Sequence, residues 1–201
     1  MKKLLILILL ISQYTFADSP LTSTEFYKEY LSIPEVLEAS TSNGTLTDKH
    51  FNFINDKENN IGEKIALINA LKWNIKGKKN TQLYINKLFA SNKKYTSKNF
   101  YQEATAEELI CYAYLKAMDD YLDVNKALTF SKKALEKNPT SSTIHIVHQL
   151  INAQTALHNQ NWCQVYTLFQ KVALNKSLNK DFNLKALKVI LNYTNGYKKY
   201  C

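Results

Sequence analysis

Few side chains in this 201-residue sequence stand at spacings that could do chemistry, and the most informative are three cysteines, Cys111, Cys163 and Cys201. In an oxidising compartment three thiols give one bridge and one thiol left over. Cys163 falls at the start of a predicted helix whose successor returns antiparallel, which carries the tail beyond Gly196 back toward it. Cys163 with Cys201 is therefore the favoured pair. Cys111 sits on an apolar helix face with no base indicated nearby, the setting of a buried, inert thiol. His145 and His148 are three residues apart and share a helix side, but no Asp, Glu or Cys completes a ligand set at motif spacing. They read as surface or boundary histidines, and no metal is expected. Asp48, Glu107, Glu108, Asp119 and Asp120 invite an acid-pair mechanism, yet each lies at a helix end, where carboxylates serve as caps and dipole partners. With four glycines in the chain there is no phosphate loop, and no HExxH helix, Gly-x-Ser-x-Gly elbow or Cys-x-x-Cys pair occurs. No cofactor is expected.

The ends and the charge bound the compartment and the partner. Residues 1–17, MKKLLILILLISQYTFA, have a basic start at Lys2 and Lys3, an apolar run from Leu4 to Ile11, and a small-residue cleavage signal ending at Ala17. This is the pattern of a secretory signal peptide, cleaved after Ala17 to leave a single domain over residues 18–201. The apolar run is too short to cross a hydrocarbon layer of about 30 Å, so a periplasmic or secreted chain without stable membrane insertion is expected. The 26 basic residues are all lysine against 17 acidic ones, a formal net charge of +9, of which only Lys2 and Lys3 leave with the leader. Arg supplies the planar fork that reads phosphate and guanine; lysine is a hydrated point charge. Nucleic-acid binding is therefore not expected. The basic surface is either simply solvated or drawn to an anionic envelope or an acidic partner. Abundant Lys, Asn and Ile with no Arg fit an AT-rich genome, and the short leader fits a bacterium.

The elements that must position these residues are helices throughout. Capping signals recur, and alternating β-branched runs are missing. A first helix carrying Phe26, Tyr27, Tyr30 and Leu31 must stop before Pro34. Ser32 to Glu35 has the form of a capping box for a second, and Thr47 caps a third bearing Phe51 and Ile54. Asn60 and Glu63 open a run through Ile61, Ile65, Ile68, Leu71 and Ile75 that is predicted to end at Gly77. A partner starts near Asn80. Residues 91–103 are polar with scattered aromatics and read as the principal loop, either mobile or facing a ligand. Thr105 and Glu108 cap a helix with Leu109, Ala113 and Ala117 inward, followed by a mate over about Asp123 to Lys137. A further pair starts near Ser141 and at Trp162, and a last helix runs from about Asp181 to Gly196. Each has one apolar stripe, so neighbours must stack.

Lys126 to Pro139 and Gln164 to Ser177 are related segments about 38 residues apart, a period that marks stacked helix pairs. At Ala127, Leu128, Phe130, Ala134, Leu135 and Pro139 the first resembles the second helix of a tetratricopeptide repeat. Asp119 to Lys126 looks like the longer turn of Sel1-like repeats, and Trp162, Val165, Phe169 and Val172 fill the equivalent places of the next unit. The resemblance covers about residues 106–173, with a degraded earlier copy between Gly62 and Phe89. It implies an all-α chain of antiparallel helix pairs stacked as a short α-solenoid, with a competing irregular bundle using the same stripes. It also implies a concave face that binds a protein or peptide, built from first helices. By match to the pattern that face carries Tyr112, Lys116, Asp119, His145, Gln149 and Asn152. The expected function is a non-catalytic binding module of the bacterial envelope. An α-helical hydrolase of peptidoglycan-type substrates and a structural or ligand-storing protein stand as alternatives.

Overall fold

A computed structural model describes residues 19–201; the leader assigned to residues 1–17 lies outside the described residues. Among the described residues there are eleven α-helices and two 3-10 helices and no strand, and one isolated bridge joins Ser141 to Asn179. The protein is all-α. The helices are α1 (Pro20–Ser23), α2 (Pro34–Thr41), α3 (Asp48–Asn55), α4 (Ile61–Ala70), α5 (Asn80–Ser91) and α6 (Phe100–Glu103). They continue as α7 (Ala106–Asp119), α8 (Asn125–Lys137), α9 (Ser142–His158), α10 (Trp162–Leu174) and α11 (Leu184–Thr194), with 3-10 turns at Phe26–Tyr30 and Asn195–Tyr200. None of the described helices is long and apolar enough to cross a membrane.

Local chemistry sets most of the starts. Asn60 and Glu63 satisfy each other's end of α4, and Thr105 and Glu108 do the same for α7, so orphan amide donors of both first turns are met. Thr47 caps α3 with His50 at the reciprocal position, and Ser141, Asn161 and Asn183 cap α9, α10 and α11. Three expectations are corrected. Ser32 does not cap α2: the residue before proline is held extended, so Ile33 takes the cap position and supplies no oxygen. Phe26 to Tyr30 wind as a 3-10 turn. The run from Ile61 leaves the helix at Ala70 and does not reach Gly77. Lys72 adopts φ 60°, and the Lys78 ammonium donates to the carbonyl oxygens released at Leu71 and Lys72.

α7 packs against α8 and α9 against α10, and α9 also lies on α7 and α8. α4 and α5 each pack on α7. The first and last described segments meet. α1 packs on α9 and α11, and the Phe26–Tyr30 turn packs on α4 and α11, whereas units of a linear array touch only their neighbours. Phe26 is fully buried between Tyr114 and Phe182, with centroids at 6.4 and 5.4 Å. The Asn183 amide donates to the Tyr30 hydroxyl at 3.0 Å. At that convergence a Cβ on Gly62 would stand 2.8 Å from the Asp181 carbonyl oxygen, so only glycine lets the three segments close. Asp181 replaces the expected helix start: its carboxylate accepts from Ser142 and Thr143 and so anchors the beginning of α9.

Candidate functional site

Tyr112, Lys116 and Asp119 recur at helical spacing along one face of α7 and line a single groove of about 920 Å³. Its other walls are α5, the turn over residues 74–79, and α8. At one end the wall is aromatic. Phe100 is met by Phe89, Tyr95 and Tyr112, each at 5.6 Å between centroids, and Phe130 packs on Tyr112 at 4.4 Å and Tyr101 at 5.1 Å. Most of these contacts are edge-to-face, the arrangement the ring quadrupoles favour. Phe100 and Tyr101 come from the stretch read as the principal loop. It is pinned, because the Lys137 ammonium donates to the carbonyls of Gln102 and Ala104 at 2.6 and 2.7 Å, and the Tyr95 hydroxyl donates to Glu108 at 2.7 Å. It forms a fixed wall of the groove.

The other end is charged. Asp119 is 5% exposed, and its Oδ2 accepts from both the amide and the hydroxyl of Thr81 at 2.7 Å. It thereby caps α5, whose own N-cap, Lys79, makes no side-chain cap. Its Oδ1 has no hydrogen-bond partner among the described residues, and burial raises the carboxyl above the ordinary aspartate value. Lys116 stands 3.8 Å from Asp120. Lys78 is turned away onto backbone carbonyls, and burial pushes its ammonium down. Lys76, Lys79 and Lys126 are exposed and form no ion pair among the described residues. Two apolar side chains flank the same opening, Ile75 at 69% and Leu122 at 60% exposed.

His145, Gln149 and Asn152 lie on α9, which contributes no side chain to this groove. His145 Nε2 is 2.9 Å from the Pro139 carbonyl, His148 Nδ1 is 2.9 Å from the Ser131 hydroxyl, and Asn152 donates to Gln149 at 3.4 Å. Phe100, Tyr101 and Phe130 belong to the groove and were not singled out for binding by the sequence. The available signal was the cluster of aromatics in a stretch otherwise too polar to have a core of its own. Cys163 and Cys201 form the disulfide, with Cα atoms 4.9 Å apart, and Cys111 is the free, buried cysteine, its thiol pushed up to about 12 by burial. Among the described residues no three His, Cys, Asp or Glu side chains gather as a metal cluster.

The buried histidines set an acid limit. Burial depresses His148 to about 4, and it also lowers His50, which is fully inaccessible. Between pH 4 and the ordinary 6.5 the unfolded chain binds more protons than the folded one, so stability rises with pH there and is lost as pH falls. At about 1.4 kcal/mol per unit, the depression of His148 from 6.5 to about 4 corresponds to roughly 3 to 4 kcal/mol. Urea midpoints measured from pH 7 to pH 4 should fall steeply in the wild type and distinctly less in His148→Gln. Equal slopes would show that the imidazole is not the proton acceptor. Comparison with protein-family models, with curated proteins and with solved structures returns no match.

Proposed function

We propose that the chain is an exported, non-catalytic binding module of the bacterial envelope that grips a protein or peptide in the groove along α7. The observation that carries this reading is the groove itself. It has the volume of sites that hold ligands, about 300 to 1,000 Å³, and combines an aromatic wall with a few polar groups. Tyr112, Lys116 and Asp119, which the repeat resemblance places on a concave binding face, all line it. Aromatic anchors ringed by polar side chains are the usual composition of a protein-binding surface. The Cys163–Cys201 bridge supports an oxidising compartment, in keeping with the leader. The specific form this suggests is an accessory or immunity-type inhibitor that acts by docking.

The test is affinity capture from the native envelope with the wild type and with an Ile75→Asp, Leu122→Asp variant. Both side chains are exposed, so the fold is expected to survive. A stoichiometric protein retained by the wild type and lost by the variant is the expected result. Capture of nothing, or equal capture by both, would contradict the proposal. The captured chain should begin at Asp18 by intact mass.

A second reading is favoured by one observation. Asp119 is a buried carboxyl held above its ordinary value in a cleft beside Lys116 and Tyr112, the pattern of a general acid. An envelope hydrolase built on it would turn over peptidoglycan-type substrates and lose that turnover in Asp119→Asn. Its commitment to Thr81 weighs for a helix cap.

A further inference from the structure

We infer that the groove takes an extended acidic segment of a partner protein, seating an aromatic or large aliphatic side chain against the half-buried rings of Tyr101 and Phe130 and setting carboxylates against Lys76, Lys79 and Lys126. This rests on the groove being the binding site and goes further by stating what the partner must carry.

The charge balance of the opening is the first argument. Among the groove's acidic groups Asp119 is buried under Thr81, and the exposed carboxylate of Asp120 is balanced by Lys116 at 3.8 Å. Among its lysines, Lys78 is spent on the carbonyls of Gly44, Leu71 and Lys72. What remains for an incoming chain is three exposed ammonium groups, on the turn after α4, at the start of α5 and at the start of α8. They come from three separate elements, so they edge the opening from several sides.

The second argument is what lies between those charges. Ile75 and Leu122 expose large apolar surfaces and line the same groove as the aromatic wall. A hydrated anion gains nothing from such a surface. A polypeptide carrying an apolar side chain among carboxylates satisfies both parts. Single-stranded nucleic acid fits less well. Stacking platforms present free ring faces, whereas Phe100 is packed by four neighbouring rings, and the chain has no Arg to grip phosphate bidentately.

The experiment is selection of random dodecapeptides displayed on phage against the full exported chain, followed by fluorescence polarisation of the synthetic winners. Binding is compared in the wild type, in the Lys76→Glu, Lys79→Glu, Lys126→Glu variant and in the Ile75→Asp, Leu122→Asp variant. Winners rich in Asp and Glu around an aromatic or large aliphatic residue are expected. Their affinity should fall with added salt and by at least about tenfold on charge reversal, because attraction at three sites becomes repulsion. Neutral or basic winners that ignore the lysine reversal but are lost in the Ile75, Leu122 variant would overturn the acidic segment while leaving the groove as the binding site. Winners indifferent to both variants, or no winners, would overturn both. Heparin, as a bare polyanion, should bind weakly; tight binding that depends on the lysines and ignores Ile75 and Leu122 would overturn the peptide in favour of a polyanionic ligand. Circular dichroism and urea midpoints of both variants should match the wild type, since all five positions are exposed.

Discussion

Replacing Asn69 with leucine is expected to lower the unfolding free energy by about 3 to 6 kcal/mol, because three buried groups lose their partner at roughly 1 to 3 kcal/mol each and the apolar side chain returns part of that. Asn69 is almost fully buried on α4. Its Oδ1 accepts from the Tyr27 amide at 3.0 Å, and its Nδ2 donates to the Thr24 carbonyl at 3.1 Å and to the Tyr114 hydroxyl at 2.9 Å. One amide thus ties the segment around Thr24 and Tyr27 to both α4 and α7. Leucine keeps the same branched four-atom skeleton and leaves no cavity, so the loss reads out chiefly the hydrogen bonds. Tyr114→Phe removes only one of the three partners and should cost about 1 kcal/mol. Urea unfolding at constant m separates the two variants. Similar small losses in both would mean that the first segment is held by its apolar contacts at Leu21 and Phe26 alone.

Cys201→Ser is expected to cost a comparable amount by a different route. The Cys163–Cys201 bridge closes a loop with a sequence separation of 38. Loop-closure entropy then places the loss near 4 kcal/mol. For a chain of this size that corresponds to a melting temperature lower by about 8 to 16 °C. The wild type in reductant should show the same shift, and Cys111, buried and held as a thiol, should not exchange into the bridge. Trp162 stacks on Tyr197 at 6.1 Å beside the bridge, and these rings keep the tail close without it. A shift of only a degree or two would show that the rings, not the sulfurs, set the position of the C-terminus.

The helices were legible where local chemistry decides them. Asn60 with Glu63 and Thr105 with Glu108 gave their starts, and Pro34 and Pro139 their limits, because capping and proline act within a turn. The Cys163–Cys201 pairing could be read from the return of one helix on another. What escaped was set by contacts distant in sequence. α4 stops at Ala70 because Lys78 draws out the carbonyls that follow, and α11 starts late because Asp181 is taken by α9. The closure of the chain's first segment onto its last helix depends on Asn69, Gly62 and Tyr30, none of which carries a local signal. The groove was half visible. Tyr112, Lys116 and Asp119 share a helical face and could be grouped from spacing, but Phe100 and Tyr101 join them through the tertiary fold, from a polar stretch with no period. His145, Gln149 and Asn152 lie on α9, and the groove, bounded by α5 and the turn over residues 74–79, takes no side chain from that helix.

Methyl-resolved NMR of the wild type, titrated with a peptide selected for binding, tests the claim that the α7 groove is where a partner docks. Shifts are expected at Ile75, Ile85 and Leu122, which line the groove, with none at Val165 or Ile190 in the distant core. Shifts centred on the C-terminal half, with Ile75, Ile85 and Leu122 unmoved at saturation, would contradict it.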